Sequence, residues 1–327
     1  MTIQDLVTLN DWHVVARSAD VAVDSLLSAR LLDEDLVLWR SGDRILAWRD
    51  LCVHRGAKLS LGCIRAGILT CPYHGWAYDP TGQCIHMPAH PTLNPPARAQ
   101  IQSYLAQERY GLIWVCLGHP QQDLPPFPEW DDASYRKVFC GPYHYRASAP
   151  RAIENFLDVA HFPFVHEGML GDPAHPEIED YTVSVTPDGL IAKNVQVWQP
   201  DPYGGLQQGA RVAYDYVVPR PFTAYFIKVS KEVREHRRVI FMTTTPVSLT
   251  ESISWWWIAM NYGFDIPAEV FQQFEDEVVA GDVRILESQR PELLPLDLQA
   301  ELHLPSDRTA IAYRKWLKSL GVTFGTA

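Results

Sequence analysis

Two Cys and two His, placed as Cys52-Val53-His54 and, sixteen residues later, as Cys71-Pro72-Tyr73-His74, constrain this 327-residue chain more than any other feature. Each short segment mixes one thiolate with one imidazole. Structural zinc sites more often pair like ligands, as C-x₂-C or H-x₃-H. One Cys and one His from each of two loops is instead the ligand set of a [2Fe-2S] cluster in which two thiolates hold one iron and two imidazoles the other. Such a cluster must be pinched from opposite sides by two tight loops. The chain around it is therefore expected to be a framework of short strands and turns.

That framework is legible nearby. The apolar runs 36–40 and 45–49 flank Ser41-Gly42-Asp43, the pattern of a hairpin, and Asp79-Pro80-Thr81-Gly82 reads as a turn just beyond the second ligand pair. Residues 111–117 read as a buried strand. Gly118-His119-Pro120 and Leu124-Pro125-Pro126-Phe127-Pro128 then form a Pro-rich linker. A boundary there gives a first domain over 1–122 and a second over 123–327, and two domains suit a chain of this length. Clusters with this ligand set are Rieske centres. The high-potential respiratory carriers add a disulfide across the loops and a Ser hydroxyl bonded to the cluster, where this chain has Ala57, Tyr73 and Trp76. Without those devices the potential is expected at the low end of the Rieske range, about −150 mV, which suits a donor to O₂-activating iron.

Composition removes other classes. A net charge of −11 leaves nothing to neutralise nucleic-acid phosphates. Residues 1–11 lack the basic and apolar regions of a signal peptide, and the aromatic run 255–260 is too short to span a bilayer. A cytoplasmic protein is expected, with Cys63, Cys84, Cys116 and Cys140 as free thiols.

The second half carries another constellation. A helix is expected over 151–160, with Asp158 and His161 at i,i+3 on one face. On a continuous helix His166 would point about 140° away from His161; Pro163 is expected to disrupt the helix and let His166 return. Strands are expected at 190–198, 210–218, 222–229, 239–246 and 253–261, forming one large antiparallel sheet. The charged run 231–238 reads as a solvated loop. Pro267 is placed at the first position of a helix that carries Phe271, Phe274, Val278, Val279, Val283 and Ile285 towards Gln289. On that helix Asp282 is the carboxylate best placed to complete a 2-His-1-carboxylate iron site with His161 and His166. Asp276 and Glu277 are its competitors.

Over essentially its whole length the chain resembles the oxygenase component of the Rieske non-haem iron oxygenases. It is similar to the short branch that includes vanillate and dicamba demethylases, toluenesulfonate methyl-monooxygenase and saxitoxin-pathway hydroxylases. The stretches 161–168 and 305–316 look most like the last of these. The resemblance implies an α+β architecture: an all-β Rieske domain, then a helix-grip catalytic domain with a large antiparallel sheet flanked by helices. It implies cluster ligands at Cys52, His54, Cys71 and His74, ligands to a mononuclear Fe(II) at His161, His166 and Asp282, and a bridging carboxylate at Asp158. It further implies that an external reductase or ferredoxin delivers electrons from NAD(P)H. These pass through His74, Asp158 and His161 between subunits of a homotrimer, and O₂ then hydroxylates or oxidatively demethylates a small organic substrate. Chain length argues against a ring dioxygenase. A Rieske electron carrier or redox sensor is the alternative, separable by iron content: about two irons per chain against about three. Phe156, Phe164, Tyr216 and Trp256 are expected to line the pocket. Arg55, Lys58 and Arg65 are ordinary surface charges or a collar that steers an acidic donor.

Overall fold

The computed structural model describes residues 5–202, 209–229 and 236–327. The chain divides into two compact units, Met1–Asp123 and Leu124–Ala327.

In the first unit a short helix α1 (Leu6–Leu9) precedes strands β1 (His13–Arg17), β2 (Leu27–Leu31), β3 (Glu34–Ser41), β4 (Arg44–Arg49), β5 (Cys63–Arg65), β6 (Ile68–Thr70), β7 (Ala77–Tyr78), β8 (Cys84–His86), β9 (Ser103–Arg109) and β10 (Leu112–Cys116). They form a six-stranded sheet in the order β1-β10-β9-β4-β3-β2 and a four-stranded sheet β5-β6-β7-β8. The hairpin expected at Ser41-Gly42-Asp43 is present: Ser41 pairs with Arg44, leaving Gly42 and Asp43 as a two-residue turn. Trp39 and Trp48 meet edge to face at 5.0 Å within one buried cluster that also holds Leu59, Leu69 and Tyr78. The cluster loops therefore stand on a rigid apolar base. All six cysteines are free.

The second unit is built on β11 (Arg136–Tyr145), helices α2 (Ala149–Leu157) and α3 (Phe162–Val165), strands β12 (Thr182–Thr186), β13 (Gly189–Gln199), β14 (Ala210–Arg220), β15 (Thr223–Val229), β16 (Arg237–Pro246) and β17 (Ser252–Met260), and helices α4 (Ala268–Leu286) and α5 (Arg308–Leu320). Its sheet is antiparallel throughout, in the order β11-β17-β16-β15-β14-β13-β12. The helices pack on this sheet and on one another, α4 against β11 and α2 against β16, β17 and α5.

Several local expectations need correction. Helix α2 stops at Leu157, so Asp158 and His161 do not share a helix face. Asp158 has left the helix with extended backbone, and its Oδ1 accepts from Ala160 N at 2.8 Å, a side-chain turn that ends the element. Pro163 sits in the first turn of α3 and starts that helix rather than breaking one. Pro267 caps α4 and is not its first residue. Of the charged run 231–238, residues 231–235 lie outside the described residues. Arg237 and Arg238 open β16, and Arg238 turns inward to Glu275 instead of facing solvent.

Candidate active site

The two cysteine loops share one hydrogen-bond frame. Cys52 N donates to Ala57 O and Cys71 N to Trp76 O, both at 2.8 Å, while Gly56 N and Gly75 N donate back to Cys52 O and Cys71 O at 2.9 and 3.1 Å. Gly56 and Gly75 each take φ +71°, which an L side chain adopts only at a cost. A glycine four residues after each Cys was thus a readable signal, missed because the His spacing differs between the loops. The loops bring the His54 and His74 rings to 4.5 Å, and Trp76 stacks flat on His54 at 4.4 Å. His54 Nδ1 is buried without a hydrogen-bond partner. An orphaned imidazole nitrogen beside two buried thiols, with a second imidazole against it, fits a [2Fe-2S] cluster. Burial pushes the Cys71 thiol above its usual pKa; a metal would hold it as thiolate.

Tyr78 adds a feature not foreseen from sequence. Its hydroxyl lies 3.1 Å from Cys52 Sγ and burial keeps it protonated, so against a thiolate it is the donor. Hydrogen bonds to cluster sulfurs raise the potential. The low-end expectation drawn from Ala57, Tyr73 and Trp76 therefore omitted a contribution of opposite sign.

In the second unit, the turn at Asp158 and the single turn of α3 place His161 and His166 side by side, Nε2 to Nε2 at 3.2 Å. Asp282 reaches both from α4, with Oδ1 at 3.3 Å from His161 Nε2 and 3.0 Å from His166 Nε2. Among the described residues these three offer ligand atoms all within 4.8 Å of one another. Gly281 permits the approach: a Cβ there would stand 3.2 Å from the His166 ring. Asp276 instead accepts from Tyr143 OH at 2.8 Å, which removes it as a competitor for this set. Asp158 Oδ2 faces His161 Nδ1 at 3.1 Å and so fixes the ring with Nε2 towards Asp282. Burial opposes a charge on His161, but Asp158 and Asp282 outweigh it and raise its pKa to about 9. Asp282 is held below the usual carboxylate range because the two imidazoles outweigh its burial. Two imidazoles and one carboxylate, gathered and largely buried, fit a mononuclear iron with open coordination positions.

A cavity of about 480 Å³ opens beside this set, a size suited to a small organic molecule. Phe156, Tyr216 and Trp256 line it as expected, together with Asn155, Tyr214 and Phe226. Phe164 does not; it is 67% exposed. Of the three cations near the cluster loops, Arg55 and Arg65 are exposed and Lys58 pairs with Asp35 at 3.0 Å.

Known proteins place both units. The Rieske [2Fe-2S] domain family matches residues 11–104, and the vanillate O-demethylase oxygenase C-terminal domain family matches residues 145–323. The chain belongs to the Rieske non-haem iron oxygenases of this demethylase type. It is 36% identical over 319 residues to methylxanthine N1-demethylase NdmA of Pseudomonas putida, spanning 94% of this chain and 88% of that protein. It is 28% identical over 335 residues to the vanillate O-demethylase oxygenase subunit of a Pseudomonas species, spanning 94% and 92%. The solved structure of NdmA from Pseudomonas putida CBB5 with caffeine superposes with a TM-score of 0.83 at 32% identity, covering 95% of this chain and 90% of that one. The α+β architecture expected from the sequence is the one found. The chain is an oxygenase component: its cofactors are a Rieske cluster and a mononuclear iron, a separate reductase supplies electrons, and O₂ is used to oxidise a small organic substrate.

Proposed function

We propose that this chain demethylates a small aromatic or heteroaromatic molecule by hydroxylating a methyl group on ring nitrogen or oxygen, which then departs as formaldehyde. The observation that carries the reading is the His161, His166 and Asp282 set opening onto an aromatic-lined cavity. The demethylases named for NdmA and for the vanillate enzyme support it. In this reading residues 1–122 form the cluster domain and 123–327 the catalytic domain. Cys52, His54, Cys71 and His74 hold the cluster, and His161, His166 and Asp282 hold the iron. When bound, the iron activates O₂ with electrons that the cluster supplies. The chain's own part is to orient and exclude. Asp158 keeps the His161 proton on Nδ1 and leaves Nε2 as the ligand atom. Phe156, Tyr216 and Trp256 hold the substrate ring and keep water from the methyl group.

We assign the working assembly as a cytoplasmic homotrimer in which Asp158 couples the cluster of one subunit to the iron site of the next. No helix among the described residues is long and apolar enough to cross a membrane. The test is a panel of N-methyl and O-methyl aromatics with a surrogate reductase, reading O₂ uptake, formaldehyde and product mass. Loss of CH₂ with stoichiometric formaldehyde is expected. Stable addition of one oxygen would replace demethylation by hydroxylation. Iron content of about three per chain is expected, and a value of two with no substrate-dependent O₂ uptake would overturn the enzymatic reading.

A further inference from the structure

Strand β11 departs from regular pairing where it passes the cavity. In a regular strand residues three apart point to opposite faces. The slip between Cys140 and Tyr143 sets Cys140 opposite Trp256 and Tyr143 opposite Ser254, two residues apart on β17, so both join the face that carries Trp256. Gly141 makes the slip possible. It takes φ +90°, and a Cβ there would stand 3.0 Å from Tyr143 N. The result is an edge-to-face contact between Tyr143 and Trp256, with ring centres 5.5 Å apart. Trp256 lines the cavity with His161, His166 and Asp282, whereas Tyr143 lies outside the lining and is half-buried. Tyr143 OH donates to Asp276 Oδ1 of α4 at 2.8 Å, and Asp276 is exposed. A continuous path therefore runs from the cavity through an indole and a phenol to a surface carboxylate.

Indole and phenol are the ring side chains that give up one electron most readily, and a phenol does so readily only when a base within hydrogen-bond reach takes its proton. The two rings differ in that respect. Trp256 Nε1 is buried and has no hydrogen-bond partner among the described residues, so an oxidised Trp256 keeps its proton and remains a strong oxidant of its neighbour. Burial keeps the Tyr143 phenol protonated, and Asp276 is in reach as acceptor. Tyr216, whose ring also lines the cavity, offers no such terminus, because its OH is buried without a partner among the described residues. An iron that reduces O₂ beside a cavity empty of substrate leaves oxidising equivalents with nothing to consume them, and the aromatic wall is exposed to them. We propose that Trp256, Tyr143 and Asp276 form a relay that drains these equivalents to the surface. Trp256 gives one electron to the oxidised iron site, Tyr143 returns one to Trp256, and the phenolic proton passes to Asp276. A thiol or similar small reductant in solution then gives the phenoxyl radical one electron, Asp276 hands back the proton, and the path is reset.

The loaded chain, its cluster oxidised so that electrons cannot come from there, is mixed with hydrogen peroxide in the absence of substrate and freeze-quenched for electron paramagnetic resonance. A tyrosyl signal that changes on ring deuteration of tyrosine is expected, and the same chain stripped of the mononuclear iron is expected to lack it. Tyr143→Phe, which keeps a ring packed on Trp256, is expected to lose the signal, and so is Trp256→Phe. Asp276→Asn keeps an acceptor for the phenol but no base, and is expected to lower the radical yield about tenfold or more. Peptide mass mapping of Tyr143→Phe is expected to show added oxygen at Trp256 and Phe156 where the parent chain shows little. Circular dichroism, cluster absorbance and iron content confirm that each variant is folded and loaded. An undiminished signal in any of the three folded variants overturns the relay, as does a parent chain that consumes peroxide without forming a tyrosyl radical. No methyl compound enters the experiment, so its outcome is independent of the demethylase reading.

Discussion

Asp158 does two things with its two oxygens. Oδ1 closes the turn that ends α2, and Oδ2 holds His161 Nδ1. Asp158→Asn separates these, because an amide oxygen can still accept from Ala160 N while the charge beside His161 is lost. The folded turn and both metals are expected to remain, with coupled product formation falling about 10- to 100-fold. Product formed per O₂ consumed, alongside iron content, checks this; normal coupled turnover with both metals bound would refute the role. Tyr78 offers an equally local test. Tyr78→Phe removes one hydrogen bond to the Cys52 sulfur and little volume. A bond of about 1 kcal/mol corresponds to roughly 40 mV for one electron, so the midpoint potential is expected to fall by that order in a voltammetric titration. An unchanged potential would mean that Tyr78 serves packing alone.

Among the elements, α2 matters most, since it carries Asn155 and Phe156 and ends at Asp158. It is fixed from behind by charges rather than by apolar packing alone. Arg314 of α5 makes a two-point bond to Glu154 at 2.6 and 2.7 Å, and Glu301 joins Arg314 to Arg151 at 2.5 and 2.8 Å. Arg151 and Arg314 are both 2% exposed. Removing one partner strands buried charge, so Arg314→Met is expected to cost about 3–5 kcal/mol. In the transition of the second unit that is roughly 6–20 °C of midpoint. A calorimetric shift under 2 °C, well below that range, would show the network to be nearly neutral. The same scale explains what sequence could reveal. The long sheet was legible because β13 to β17 alternate or run apolar over many residues. Strand β11 was not, because Gly141-Pro142 reads as a turn, whereas the strand absorbs it as a register slip between Cys140 and Tyr143. The gathering of His161, His166 and Asp282 was legible from their residue types, but the end of α2 was not, since a helix and a side-chain turn both suit Asp158. Lys228 and Arg238 border a charged, polar stretch that resembles a loop. Only the folded sheet, which sets them opposite each other on the cavity wall, shows where they lie.

For the whole molecule the open question is where electrons cross. His74 and Tyr73 are exposed on the first unit, with Leu51 and Val53 exposed beside Cys52. The Asp158 side chain is 38% exposed on the second. The proposed homotrimer brings the exposed His74 of one subunit to the exposed Asp158 of the next through head-to-tail contacts, and a closed ring leaves none of them unused. Two disabled chains distinguish transfer between subunits from transfer within one. His74→Ala removes a proposed cluster ligand and His161→Ala a proposed iron ligand, so each variant alone is expected to be inactive. Co-expressed under separate tags and purified through both, they are expected to form mixed trimers under the proposed assembly. If electrons pass only between neighbours, every mixed trimer, whichever variant is in excess, has an intact cluster meeting an intact iron site at one of its three junctions, about a third. About a third of wild-type product formation is then expected. If electrons stay within a chain, no subunit holds both centres and the mixed rings remain inactive, an outcome that would exclude transfer between subunits.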